Sequence, residues 1–264
     1  MVQRAFLATA TTLAFAHRGG GGDAPENTLP AFEAAVALGY RYLETDVHLT
    51  RDGVLLAFHD SRLDRLTDHS GAIVDLSLDE VREADAGYWF TPDDGATYPF
   101  RGQGVVVPTL EELLTRWEHV FLNIDAKSDE TVVPLVELIR RLDAFGRVCI
   151  GSFSDRRVAR IRALARGKIC SSMGQVATGT AFLASRSGRM PSFHADCLQV
   201  PRRWGILRID RRFVRAAHHA GLPVHVWTID DQAEMEWLLD LGVDGIMTDR
   251  PKILKEVFQA RGLW

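Results

Sequence analysis

The sequence predicts an α/β protein whose parallel strands close into an eight-stranded (β/α)8 barrel. An accessory hairpin strand and a small irregular insertion after the second barrel strand complete the expected fold. Three observations point there. Strand-like and helix-like segments alternate through the second half with short connections, the mark of βαβ units on a parallel sheet. Short apolar runs keep ending in polar, charge-bearing residues, as strand ends sharing one rim would. The length, 264 residues, suits such a barrel as one unit, so residues 1–264 are expected to form a single domain with a cap inserted at about 61–107.

The first strand is placed at Thr11–Ala16, running into His17-Arg18 and a Gly19-Gly20-Gly21-Gly22 loop. Arg4 followed by Ala5 to Ala16 also has the basic start and apolar length of a secretory signal. Cleavage beyond that run would remove the strand and its terminal polar residues, so a buried strand is the preferred reading. Gly39 stands where the first helix should stop. The second strand, Leu43–Leu49, carries Glu44 and Asp46.

Only Thr50-Arg51-Asp52-Gly53 separates this strand from Val54–His59, whereas a parallel crossover needs about a dozen residues or more. The pair must be an antiparallel hairpin, which makes Val54–His59 the accessory strand among nine candidates. A two-residue Arg51-Asp52 turn sets His59 opposite Glu44 and Ala57 opposite Asp46, placing His59, Glu44 and Asp46 on one face. A three-residue Arg51-Asp52-Gly53 turn with a bulge shifts the register by one. The first is preferred because it gathers the ionisable groups. Residues 61 to 107 break the βα rhythm. They are rich in Asp, Gly, Arg and aromatics, with a short helix opening at a Ser77-Leu78-Asp79-Glu80 capping box.

From there the rhythm is regular. A Thr109-Leu110-Glu111-Glu112 capping box opens a helix before the strand Val120–Ile124, which ends at Asp125-Ala126-Lys127. Helix Glu130–Leu142, strand Val148–Gly151, helix Asp155–Ala165, strand Lys168–Ser171 and a weaker helix near Gln175–Ser185 follow. Strand Cys197–Val200 precedes helix Arg211–Ala220, Val224–Trp227 precedes Gln232–Leu241, and Gly245–Met247 precedes Ile253–Gln259. Gly221 and Gly242 stand at helix ends, and Asp231-Gln232-Ala233-Glu234 resembles another capping box.

Composition removes several classes of function. A net charge of −4 gives nucleic acid nothing to bind, and no apolar run approaches the roughly 20 residues that span a bilayer. Cys149, Cys170 and Cys197 form no CxxC and are odd in number, which argues against a disulfide framework and for a reduced, cytoplasmic setting with inert thiols.

On parallel strands, two histidines, three carboxylates, an arginine and a lysine converge on one rim. That set suits metal-assisted acid/base chemistry on an anionic substrate. Glu44 and Asp46 alternate on one face and can point two carboxylates at one spot. Taken alone, the pair also reads as a solvated strand end with a salt bridge. With Asp125 they would form a hard oxygen site for one divalent cation, Mg2+ or Ca2+. His17 and His59 titrate near neutrality and can pass protons both ways. Lys127 shares the face of Asp125, where it could pair with a phosphate oxygen or neutralise the carboxylates. The glycine run lacks the GxxxxGK[ST] pattern, so a flexible connection is favoured over a phosphate cradle. Trp227 and Phe153 could line a small-molecule pocket or pack beneath it.

The pieces His17-Arg18-Gly19, Glu26-Asn27-Thr28, Glu44-Thr45-Asp46, Thr50-Arg51-Asp52-Gly53 and His59-Asp60 are followed by Asn123-Ile124-Asp125-Ala126-Lys127, Ser152-Phe153 and Val226-Trp227-Thr228. Asp244-Gly245-Ile246-Met247-Thr248-Asp249-Arg250-Pro251 closes the series. In this order they resemble the glycerophosphodiester phosphodiesterase family across nearly the whole chain. The resemblance implies a TIM barrel and a divalent-cation-dependent hydrolase cleaving glycerophosphodiesters to an alcohol and sn-glycerol 3-phosphate. It implies His17 and His59 as the acid/base pair and Glu44, Asp46 and Asp125 as metal ligands. Arg18 and Lys127 would contact the phosphate of a small-molecule substrate, with Trp227 in the pocket wall. Two departures stand out: Asp125 occupies a position where the family commonly has Glu, and Arg65-Leu66-Thr67-Asp68 replaces the usual Arg-Thr-Thr-Asn. Other readings are a lysophospholipase D acting on longer lysolipids, a non-catalytic binding protein on the same fold, and a metal-dependent aldolase or isomerase.

Overall fold

The structure, a computed structural model, describes residues 4–9 and 11–264. In chain order the strands are β1 (Leu13–Ala16), β2 (Tyr42–Leu49), β3 (Leu55–Ala57), β4 (Phe121–Ala126), β5 (Val148–Gly151) and β6 (Cys170–Ser171). They continue as β7 (Leu198–Pro201), β8 (Arg203–Trp204), β9 (Leu207–Arg208), β10 (Val224–Trp227) and β11 (Gly245–Thr248). The helices are α1 (Leu29–Ala37), α2 (Leu78–Arg82), α3 (Leu110–Arg116), α4 (Val132–Arg141) and α5 (Asp155–Leu164). Then come α6 (Gln175–Ser185), α7 (Arg211–His219), α8 (Gln232–Leu241) and α9 (Pro251–Ala260).

Eight strands run parallel in the order β6-β5-β4-β2-β1-β11-β10-β7, and β3 pairs antiparallel with β2. The sheet curls until its edge strands β6 and β7 approach each other. β6 is only two residues long, so the seam is stitched by single bonds instead of a ladder. Asp196 N–H donates to Ser171 O (2.8 Å), and the Asp196 carboxylate takes Ser171 N–H (2.9 Å) and Arg4 Nε (2.7 Å).

The period of two decides which residues face the lumen. Leu43, Val47, Ile124, Ile150, Val200, Val226 and Ile246 point outward and bury themselves against the helices. Their neighbours point inward, beginning at one end with Phe15, Tyr42 and Phe121. A short 3-10 turn at Ala5–Leu7 drives Phe6 into this end, edge-on to Tyr42 (centroids 5.3 Å) and Phe121 (5.8 Å), and closes it. Two residues further along each strand the inward positions become Glu44 and Asn123, then Asp46 and Asp125, at the C-terminal rim. Burial thus explains why the strands are not uniformly apolar.

The hairpin differs from the preferred expectation. Val47 pairs with Ala57 and Leu49 with Leu55, one residue away from the register that sets His59 opposite Glu44. Gly53 is the cause: at φ 83° it closes the three-residue turn, with Thr50 N–H donating to Val54 O. His59 reaches the rim regardless, because β3 ends at Ala57.

Residues 58–107 build a small apolar cluster of their own around Phe58, Leu63, Ile73, Val81 and Val105, continuous with Leu56 of β3. Within it the Arg101 guanidinium stacks on Tyr88 (4.3 Å) and Tyr98 (3.8 Å). Both Ser77–Glu80 and Thr109–Glu112 form reciprocal capping boxes, whereas Asp231 caps one way only, Glu234 being taken by Arg202. The β8–β9 hairpin is absent from the sequence reading. It carries Trp204 over α6, where Gly179 leaves the room. No described helix is long and apolar enough to cross a membrane.

Candidate active site

Where β1 ends, the chain turns sharply. Arg18 adopts left-handed φ/ψ, and Gly19 packs so close to α1 that a Cβ there would sit 2.8 Å from the Phe32 backbone nitrogen. The glycine run is therefore a close-packed corner. Gly20 and Gly22 spend their N–H groups on His17 O (2.8 Å) and Asp249 O (2.9 Å), unlike an open phosphate cradle. The corner aims His17 inward. Its Nδ1 meets Asp249 Oδ1 at 2.8 Å and its Nε2 faces Glu44 Oε2 at 3.7 Å. Burial works against the imidazolium, but Glu44 and Asp249 outweigh it and hold the His17 pKa above its ordinary value.

Glu44 and Asp46 are almost fully buried, at 4% and 2% exposure. Burial, joined by the Asp46 charge, pushes the Glu44 carboxyl up to about 7. Asp46 is held below the usual range: burial alone would raise it, but Lys127 and Arg18 prevail. Lys127 Nζ lies 2.6 Å from Asp46 Oδ1 and 2.8 Å from Asp125 Oδ2, bridging the rim ends of β2 and β4. The ladder places Asp46 beside Asp125, while Asp125 Oδ1 is buried with no hydrogen-bond partner. Arg18 donates its backbone N–H to Glu44 Oε2 (3.1 Å), and its side chain reaches Glu26 (2.9 Å) and Asp46 (3.1 Å).

His59 faces the same cavity, a third exposed, with Nδ1 2.7 Å from Asp60 Oδ1. Arg65 clamps Asp60 through Nε at 2.6 Å and, with the His59 contact, holds that carboxyl at about 2. Both histidines are thus oriented through Nδ1 by a carboxylate, which leaves Nε2 for the cavity. The opposite wall is apolar: Trp227, Phe153 and Trp204, with Phe153 edge-on to Trp227 (5.9 Å) and half exposed.

All eight residues singled out in the sequence, His17, Arg18, Glu44, Asp46, His59, Asp125, Lys127 and Trp227, line this one cavity. Missing from that reading as site residues were Asp249, Glu26, Asn27, Asp60, Arg65 and Trp204. Asn27, at φ 56°, donates to Asp46 Oδ2 (3.0 Å) and accepts from Thr45 Oγ1 (2.7 Å). Asp249 ends β11 in the manner of the other site residues, a signal that was available.

Two oriented histidines, a buried carboxylate cluster and two cations on the C-terminal rim define an α/β-barrel enzyme for an anionic substrate. The chain belongs to the glycerophosphoryl diester phosphodiesterase family, whose profile matches residues 17–253. Its enzyme class is that of a glycerophosphodiester phosphodiesterase. It is 40% identical over 270 aligned positions to the probable glycerophosphodiester phosphodiesterase 2 of Mycobacterium tuberculosis, covering 98% of this chain and 95% of that protein. The crystal structure of the glycerophosphodiester phosphodiesterase from Agrobacterium tumefaciens superposes with a TM-score of 0.74 at 28% identity, over 92% of this chain and 99% of that one. An Oleispira antarctica phosphodiesterase in complex with the product sn-glycerol-3-phosphate matches at 0.77 and 25%, over 94% and 97%.

Proposed function

We propose that this cavity hydrolyses glycerophosphodiesters to an alcohol and sn-glycerol 3-phosphate, using His17 and His59 as the acid/base pair. The observation that carries the reading is the placement of two carboxylate-oriented histidines around one buried charged cluster. One imidazole takes the proton of the attacking hydroxyl, from water or the neighbouring glycerol hydroxyl. The other gives a proton to the departing alkoxide oxygen as its bond to phosphorus breaks; where the glycerol hydroxyl attacks, the cyclic phosphate so formed is opened by water with the two proton transfers reversed.

Glu44, Asp46 and Asp125 would hold a divalent cation, Mg2+ or Ca2+. The donor set fits a hard ion, and two features ask for more positive charge than Lys127 supplies: the orphaned Asp125 Oδ1 and the raised Glu44 carboxyl. When bound, the cation would neutralise charge on the phosphoryl oxygens. Arg18 and Lys127 act on the same charge, Lys127 turning from a carboxylate to the phosphate. With Asp125 in place of Glu, the third ligand is a methylene shorter. The apolar wall of Phe153, Trp204 and Trp227 takes the alcohol part of the substrate and supports a second reading, lysophospholipase D action on a longer chain. A reducing, cytoplasmic setting accords with three free buried cysteines.

Product analysis on glycerophosphocholine and on a lysophospholipid, with and without EDTA, tests the reading. Release of glycerol 3-phosphate from glycerophosphocholine, lost in EDTA and restored by Mg2+ or Ca2+, is expected. Cleavage of the lysophospholipid alone would favour the second reading. Turnover indifferent to the chelator would remove the cation.

A further inference from the structure

Below the rim, one layer deeper in the lumen, three inward thiols meet, Cys149 on β5, Cys170 on β6 and Cys197 entering β7, and His225 on β10 stands beside Cys197. None is more than 1% exposed. The three Sγ atoms all lie within 4.8 Å of one another, and Cys149 and Cys197 are 3.9 Å apart. Neutral imidazole carries one N–H donor and one acceptor nitrogen. Here both His225 nitrogens are buried without a hydrogen-bond partner, although the ring stands beside Cys197. Native interiors rarely leave such groups orphaned. Above the layer, Gln199 Nε2 donates to Asn123 Oδ1 (2.7 Å) and approaches Cys149 Sγ at 3.9 Å, roofing the thiols off from the active-site carboxylates.

We propose that Cys149, Cys170, Cys197 and His225 form a tetrahedral site for a soft divalent cation of the zinc class. Three sulfurs and one imidazole are the donor set of structural zinc, and they would discriminate against the hard ions suited to the rim. On binding, the three thiols release their protons to solvent and His225 coordinates through a neutral nitrogen; nothing is oxidised or reduced. Gln199 is placed to donate a hydrogen bond to a thiolate at Cys149.

The position gives the ion a task. Cys170 and Cys197 flank the seam between β6 and β7, where the ladder fails. A shared cation would staple the two edges and close the barrel. Because all four side chains are buried, the ion would enter during folding, which couples metal uptake to folding.

The test uses the full-length chain produced in zinc- and in cobalt-supplemented medium, then passed through gel filtration in EDTA. The expected result is one chelator-resistant zinc per chain and, in the cobalt protein, thiolate-to-cobalt charge-transfer absorption, which a carboxylate-bound ion cannot give. Glu44→Gln should keep that absorption, whereas Cys170→Ser and His225→Phe should lose or weaken it. Failure of either lumen variant to fold would leave the wild-type measurements decisive. A wild-type protein without chelator-resistant zinc or cobalt would overturn the site. So would a Cys149–Cys197 disulfide in protein kept under reductant. The proposal is independent of the phosphodiesterase reading of the rim.

Discussion

The two arcs of the barrel divide the work. Neighbouring strands β4, β2, β1 and β11 carry Glu44, Asp46 and Asp125 and lead directly into Lys127, His17, Arg18 and Asp249, so most charged groups of the site lie on or immediately after four laddered strands. Strands β5, β6, β7 and β10, with the turns that follow them, contribute Phe153, Met173, Pro201 and Trp227 to the same cavity, and the unladdered seam between β6 and β7 lies among them. Charged groups must be placed to within a fraction of an ångström, and a continuous ladder does that. An apolar wall tolerates a looser frame, so the seam lies where catalysis can bear it.

Four perturbations probe this division. The largest effect should come from the charged arc. His17→Ala or His59→Ala should lower kcat on glycerophosphocholine by roughly 10²–10⁴-fold with little change in melting temperature. A nitrophenyl ester is unsuited, because its leaving group barely needs a proton. Near wild-type turnover of the natural diester would remove that histidine from the chemistry.

Next is the cost of assembling the arc. Glu44 titrates near 7 in the folded protein against an ordinary 4.5. Below pH 4.5 it is protonated in both states, so it costs nothing. Between 4.5 and 7 only the folded state keeps the proton, so stability without added cation falls as pH rises, with the full penalty above 7. Glu44→Gln should therefore abolish activity yet stabilise cation-free protein at pH 8 by about 2 kcal/mol. Denaturant melts at pH 5 and pH 8 would show it, and an unchanged pH slope would contradict it.

The apolar arc should respond differently. Phe153 is half exposed, so Phe153→Ala should leave stability intact and raise KM by about 3–10-fold with kcat preserved, a loss of roughly 1 kcal/mol of uniform binding. A fall in kcat with KM unchanged would assign the wall to the chemistry instead.

Smallest is Asp60→Asn. Asp60 is held at about 2 by Arg65 and His59, so its contribution is present above pH 3.8 and lost as pH falls from there through 2. Because Arg65 is half exposed and solvent screens the pair, about 0.5 kcal/mol is expected. Acid melts of the two proteins should converge at pH 2; a gap that persists there would rule out the ion pair as its source.

Much of this was legible in the sequence because local chemistry dictates it. Alternation placed Glu44 and Asp46 on one face, the short Thr50–Gly53 link forced a hairpin, and helix caps bounded the elements. The hairpin register was misread because Gly53 permits either turn, and the convergence of charges favoured the wrong one. Asp249 was not recognised as the partner of His17 because 232 positions separate them, nor Arg65 as the clamp on Asp60 because it lies in the irregular insertion. The thiol layer was invisible for a sharper reason. Its members lie on or beside four different strands far apart in the sequence, and only the lumen of a closed barrel brings them together.

Cation binding by the charged arc is the central claim, and Glu44 offers a direct measure of it. At pH 6 the cation-free protein should carry a proton there, and Mg2+ or Ca2+ held by Glu44, Asp46 and Asp125 must expel it. Calorimetric titration in buffers of different ionisation enthalpy should show close to one proton released per cation at pH 6, little at pH 8.5, and none in Glu44→Gln. Binding at pH 6 without proton release, or release that persists in Glu44→Gln, would contradict the assignment of the cation to this carboxylate cluster.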